Sequence, residues 1–200
     1  MQAMCKSLRL SAAGAAFALA TTMSVSTATA QQKLVMKASD VHPAGYPTVV
    51  AVENMGKKLV HCGSAGAGQA AKICNNMILA ISMIGVGEAF ALAERLGLSH
   101  QALFDVASTS SGQCWALTTY CPVPGPVPTS PANNDYKPGF AAALMVKDLT
   151  LAQDAAKTAG AATPLGKHAQ EIYKAFDAAG HGGVDFSGII QHVRSLAGKA

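Results

Sequence analysis

The chain has 200 residues, enough for one domain with an appendage and short for a two-domain dinucleotide enzyme. Lys and Arg total 15 against 11 Asp and Glu, a formal charge of +4 with no basic run, which argues against a nucleic-acid surface built on clustered charge. Charged residues make up 13% and hydrophobic residues 50%, so the chain is expected to bury much of its surface, part of it against another subunit.

Residues 1–30 read as a secretory signal peptide. Lys6 and Arg9 form a positive start, an Ala-rich apolar run follows, and Ala28-Thr29-Ala30 is a small-x-small cleavage site before Gln31. The run is too short and too diluted by Ser and Thr for a transmembrane anchor of about 20 residues. A second apolar stretch, residues 77–93, carries Ser82, Gly85, Gly87 and Glu88. A carboxylate inside a span is costly, so a helix buried in protein is the expectation there, and no membrane span is expected after cleavage.

Residues 31–59 read as strand, loop and helix. Leu34 to Met36 is β-like, residues 40–47 are turn-rich, and Val49, Val52, Met55 and Leu59 recur at helical spacing. With the signal peptide, the string Lys33-Leu-Val-Met-Lys-Ala-Ser-Asp-Val-His-Pro-Ala-Gly-Tyr-Pro47 resembles the mature N-terminus of a TRAP-transporter periplasmic solute-binding protein. That resemblance implies an α/β lobe, of which only the first strand and helix are visible. His42 reads as a loop histidine beside Pro43.

Residues 60–200 read as an all-helical domain. The glycine-rich turn at residues 63–68 leads into a long helix over about 69–96, stopped by Gly97. Ser99 caps a second helix to about 107. A third is expected over 112–120. Prolines 122, 124, 126, 128, 131 and 138 rule out regular structure in the stretch that contains them. A fourth helix is expected over about 140–158, ended by Gly160. Pro164 opens a fifth, through Ala178, and Asp185 or Ser187 opens a sixth, to about Leu196.

Four strings carry a second resemblance: Cys62-Gly-Ser-Ala-Gly-Ala-Gly-Gln-Ala-Ala-Lys-Ile-Cys-Asn-Asn-Met77, Ser111-Gly-Gln-Cys-Trp115, Tyr136-Lys-Pro-Gly-Phe140, and Leu144-Met-Val-Lys-Asp-Leu149. From about residue 53 onward the chain is similar to the C-terminal domain of the 3-hydroxyisobutyrate dehydrogenase family. The resemblance implies a mainly α chain, with an all-helical 6-phosphogluconate-dehydrogenase-like domain and a long first helix. The expected organisation is a signal peptide (1–30), a strand–helix appendage (31–59) and the helical domain (60–200).

Lys72, Asn75 and Asn76 stand at i, i+3 and i+4, so they share one face near the start of the long helix. The resemblance implies that Lys72 is catalytic, assisting proton transfer at the substrate hydroxyl as hydride leaves for NAD, with partial burial tuning it for that work. It implies that Asn76, and with it Asn75, binds a small hydroxy-acid substrate, and that Lys147 contacts the cofactor. Phe140 is seven residues before Lys147, on the expected fourth helix; the resemblance implies a place near the nicotinamide edge, and a core aromatic is the alternative. Asp148 is expected to hold Lys72 or to cap a neighbouring helix. No Cys or His spacing supports a metal, and Cys62, Cys74, Cys114 and Cys121 are expected to be buried free thiols.

The family's first domain, a Rossmann fold marked by Gly-x-Gly-x-x-Gly after a strand, has no counterpart string in this chain. The sequence therefore reads as a fusion of two unrelated genes near residues 53–60, inactive alone because the nucleotide-binding domain is missing. Three functions compete. The first is an NAD-dependent oxidoreductase that converts a small β-hydroxy acid to its semialdehyde, as in valine breakdown. The second is a non-catalytic helical module that forms a homo-oligomer, and the third is a periplasmic solute-binding protein. The signal peptide points to the periplasm, the dehydrogenase resemblance to the cytoplasm or mitochondrion.

Overall fold

The computed structural model describes residues 60–197. The signal peptide and the strand–helix appendage expected over 1–59 lie outside the described residues. Within them the chain is helical and no β-strand forms; one isolated antiparallel bridge pairs Ala141 with Asp185. Six α-helices follow one another: α1 (Ala67–Arg95), α2 (His100–Ala107), α3 (Trp115–Thr118), α4 (Ala142–Ala159), α5 (Pro164–Phe176) and α6 (Ile189–Leu196).

Helix α1 is the axis, and each of the other five packs against it. Its buried residues Ala80, Met83, Ile84, Gly87, Phe90 and Ala93 repeat at three- and four-residue steps, one apolar stripe along the helix. By length and composition α1 could cross a membrane, but Met83 and Ile84 pack with Met145 and Leu149 of α4, Tyr173 and Phe176 of α5, and Ile189 of α6. That buried stripe is the part of its apolarity that the core uses. Phe90 belongs to a second cluster, with Leu117, Val123, Val127, Tyr136 and Ile190, which seats the proline-rich loop on the helices.

Local chemistry sets most of the boundaries. At the end of α1, Gly97 takes φ 78°, Leu98 N–H donates to the Ala93 carbonyl and Gly97 N–H to the Glu94 carbonyl. Those paired bonds satisfy carbonyls that the helix leaves open, and a glycine reaches that φ without steric cost. The Ser99 hydroxyl accepts from Ala102 N–H and starts α2. Gly160 ends α4 and Pro164 opens α5, both as the sequence predicts.

Four expectations need correction. The third helix is shorter than 112–120, because Cys114 is extended (φ −155°) and Thr119 already departs from helix (φ −117°). Helix α5 stops at Phe176 and continues as a single wide turn, Asp177–His181, in place of a helix to 178. The proline-rich stretch holds one regular piece, a 3₁₀ turn over Pro131–Asn134 capped by Ser130. The cysteines are free but not all buried: Cys121 is buried, Cys114 is half-buried, and Cys62 and Cys74 are exposed. Burial pushes the Cys121 thiol up in pKa, whereas an exposed helix face leaves Cys74 open to solvent.

The far end of α1 is tied to α6 and α2 through Glu94. Arg194 binds both carboxylate oxygens of Glu94, one of them at 3.1 Å, and His100 Nε2 lies 2.7 Å from Oε1. The Arg194 hydrogen bond, then the contact with His100, holds the Glu94 carboxyl below its ordinary 4.5. A depressed carboxylate stabilises the fold above its unfolded value, and that stability is lost as pH falls through the folded one. In urea unfolding, Glu94→Gln is expected to cost up to about 1 kcal/mol near neutral pH. The difference from wild type should shrink progressively as pH falls below 4.5; a gap that widens there would reverse the sign of the linkage.

Candidate functional site

Two helices bring the site together, α1 from its first three turns and α4 from its middle. The α1 N-cap, Gly66, has no side chain to close the helix end. Lys72 and Asn75 stand exposed on the turns that follow, and Asn76 is half-buried where α1 meets α4. The α4 stripe that faces α1 contains Ala142, Met145, Asp148, Leu149 and Ala152. A carboxylate thus occupies a place in an otherwise apolar row, and it is only 6% exposed. Such a group needs partners on the facing helix.

Asn76 supplies one: its Nδ2–H donates to Asp148 Oδ2 at 2.6 Å. The Asn75 amide donates in turn to Asn76 Oδ1 at 3.1 Å. On the other oxygen, Lys147 Nζ lies 3.5 Å from Asp148 Oδ1, with its own side chain 59% exposed. Asn75, Asn76, Asp148 and Lys147 therefore form one connected polar chain. Asp148 does not hold Lys72, contrary to the expectation from sequence: the Asn76 amide, one turn further along α1, takes that oxygen. Among the described residues Lys72 makes no hydrogen bond or ion pair. It is also exposed rather than partly buried, because it lies beyond the edge of the α4 packing surface. Its ammonium is free to meet another group.

Removal of Asp148 tests this bridge. Asp148→Ala leaves the half-buried Asn76 amide without its acceptor and is expected to cost about 1–3 kcal/mol in urea unfolding. Asp148→Asn keeps an acceptor oxygen and should cost less than half of that. Equal losses for the two would locate the effect in charge, not in the Asn76 bond.

Phe140 is not on α4, as its spacing from Lys147 implies; the helix begins two residues later, because Ala141 is extended (ψ 146°) and serves as the N-cap. Phe140 belongs to a second cluster, around a residue that sequence reasoning treats only as a helix opener. Asp185 is fully buried. Its Oδ1 accepts from Ser187 N–H (3.0 Å) and Ser187 hydroxyl (2.6 Å). Its Oδ2 accepts from Gly139 N–H (2.9 Å), Phe140 N–H (3.1 Å) and the Tyr120 hydroxyl (3.0 Å). Burial, and next the Asp185 charge, raise the Tyr120 phenol well above its usual pKa. Above the carboxylate the rings line up. Trp115 stacks on Tyr120 (5.0 Å, 20°), Tyr120 on Phe186 (5.3 Å, 23°), and Phe140 meets Phe186 edge-on (5.8 Å, 76°). The Asp-x-Ser spacing signals the local cap; nothing local signals the reach to residues 120 and 139–140.

Two surface clefts of about 460 and 420 Å³ lie at the opposite end of the domain, around Glu94, Ser99 and His100 and between Leu92 and Arg194. Neither includes Lys72, Asn76 or Lys147. The polar chain is presented on an open face of the described domain.

Residues 66–193 match the family described as NAD-binding of NADP-dependent 3-hydroxyisobutyrate dehydrogenase. The all-helical fold and this match place the chain among the helical domains of a dehydrogenase family whose description is NAD-binding. A probable 3-hydroxyisobutyrate dehydrogenase of Mycobacterium tuberculosis (strain H37Rv) is 61% identical over 146 residues, 73% of this chain and 49% of that protein. The mitochondrial 3-hydroxyisobutyrate dehydrogenase of Drosophila melanogaster is 51% identical over 145 residues, 72% of this chain and 45% of its own. Among solved structures, the Mycobacterium tuberculosis 3-hydroxyisobutyrate dehydrogenase with L-serine superposes with a TM-score of 0.70 at 57% identity, covering 75% of this chain and 53% of that one. The chain belongs to the 3-hydroxyisobutyrate dehydrogenase family, and it spans about half the length of the curated relatives it matches.

Proposed function

We propose that the described domain is the helical half of an NAD-dependent oxidoreductase that converts 3-hydroxyisobutyrate, or a closely similar small β-hydroxy acid, to its semialdehyde. The observation that carries this reading is the Asn76–Asp148–Lys147 chain. It sets the side chain assigned to substrate and the side chain assigned to cofactor on the two oxygens of one buried carboxylate. Lys72, one turn from Asn76 and without a partner among the described residues, is assigned to the proton of the substrate hydroxyl. Asn76, steadied by Asn75, is assigned to substrate orientation. Lys147, mostly exposed, has room to meet a cofactor phosphate or carboxamide, and Phe140 to rest near its ring; both suit NAD. When bound, NAD supplies the hydride acceptor.

The open face bearing these residues needs a nucleotide-binding domain to complete it. We read the chain as a fusion near residues 53–60, with activity that depends on such a domain, in a compartment that holds NAD. The names of several relatives place them in mitochondria. Exposed Ile78 (62%) and Leu165 (67%) favour an additional role for this domain in self-association.

The test has two arms. The intact chain is titrated with NADH and sized in solution. In parallel, the N-terminal half of the Mycobacterium tuberculosis relative is joined ahead of Val60 and assayed with 3-hydroxyisobutyrate and NAD. Turnover by the joined chain, with weaker NADH binding in Lys147→Ala, is the expected result. A folded joined chain with no turnover would remove the dehydrogenase reading and leave the oligomeric one.

A further inference from the structure

We propose that Asp185 is a positioning residue of the site, the carboxylate that fixes the aromatic row Phe140–Phe186–Tyr120–Trp115 against which the cofactor ring would rest. The inference rests on the proposed assignment of Phe140 to the cofactor, but its geometry does not. Asp185 accepts from five donors, and none of them is a cation. A buried carboxylate with no cation beside it is costly unless its oxygens are fully hydrogen-bonded, so what those bonds hold is informative. The local turn over Phe186–Gly188 uses only Oδ1, through Ser187; a neutral cap such as Ser or Asn could serve that oxygen's task. The three Oδ2 bonds are different. They gather two backbone N–H groups and a phenol from distant parts of the chain, and an Asn at this position would have to turn its own NH₂ toward one of these donor sets.

What Oδ2 holds is the site's aromatic side. Gly139 and Phe140 form the turn just before α4, where the positive end of the helix favours a nearby negative charge. The Tyr120 hydroxyl crosses the same turn so closely that a Cβ on Gly139 would come within 2.6 Å of it. Phe140 and Tyr120 therefore take their places relative to Phe186 from one carboxylate. Trp115, 49% exposed and stacked on the outer side of Tyr120, takes its place at second hand.

Trp115 is the sole tryptophan of the chain, so its spectrum reports the row directly. The full chain and its Asp185→Asn, Gly139→Ala and Tyr120→Phe variants would be compared by helical circular dichroism, near-ultraviolet Trp115 bands, acrylamide quenching and NADH titration. All three variants are expected to keep their helical signal. In Asp185→Asn and Gly139→Ala, Trp115 should lose band intensity and be quenched about twice as readily, and the NADH dissociation constant should rise about tenfold. Tyr120→Phe, which removes one bond and no bulk, should shift the Trp115 bands with a smaller loss of NADH affinity. It decides the matter if Asp185→Asn fails to fold. Trp115 bands identical to wild type in folded variants would overturn the proposal. Altered bands with unchanged NADH affinity would confine Asp185 to structure and overturn its positioning role. If the wild-type chain alone binds no NADH, the affinity comparison is made in the joined chain, where a folded protein that binds no NADH would overturn the cofactor reading; the Trp115 bands still decide whether Asp185 sets the row.

Discussion

Tyr173→Ala is expected to lower stability by about 3–5 kcal/mol, a large part of the roughly 5–15 kcal/mol that holds a domain folded. Tyr173 is fully buried in α5, in the cluster that α1, α4 and α6 share. Truncation would leave a ring-sized void among Met83, Met145, Phe176 and Ile189, which sit on four different helices and cannot close together without moving α1. It would also free the Phe186 carbonyl, which accepts from the Tyr173 hydroxyl at 3.1 Å. Tyr173→Phe keeps the packing and loses only that bond, at about 1 kcal/mol. Urea unfolding of both variants separates packing from bonding; similar losses would mean that the void is filled by relaxation. Burial, reinforced by the Asp185 charge, raises the Tyr173 phenol well above 10.0. A raised folded value means that stability is complete below the unfolded pKa and declines as pH rises past it. The advantage of wild type over Tyr173→Phe should therefore shrink above 10.0.

The helices were legible in the sequence because their determinants are local. The stripe through Ala80, Met83, Ile84 and Gly87 has a helical period, Gly97 and Gly160 stop helices, and Ser99 starts one. Lys72, Asn75 and Asn76 share a helix face for the same reason. What failed depends on contacts between distant residues. The third helix lost its first turn to the extended backbone at Cys114. Spacing from Lys147 places Phe140 on α4, but Asp185, 45 residues away, accepts its N–H and holds the turn before the helix. For Asp148 the sequence offers Lys72 or a helix cap, and neither is its partner: Lys72 and Asn76 lie on the same face, and only the packing offset between α1 and α4 selects Asn76. Asp185 carries two messages, a cap that sequence can read and a clamp that it cannot.

Lys72 offers the sharpest separation between chemistry and structure. It is exposed and makes no bond among the described residues, so Lys72→Ala should change stability by no more than about 0.5 kcal/mol. If Lys72 handles the substrate proton, the same change should lower kcat in the joined chain by about 10²- to 10⁴-fold. No structural role could produce so large a ratio at constant stability. Lys72→Arg sharpens the point. A guanidinium keeps the positive charge but does not give up its proton at neutral pH. An Arg variant as slow as the Ala variant would assign Lys72 to proton transfer. A substantial recovery of rate with Arg would mean that positive charge beside the developing alkoxide is what the site requires. Wild-type kcat in the Ala variant would remove Lys72 from the reaction and leave Asn76, Asp148 and Lys147 as a polar seam between two helices.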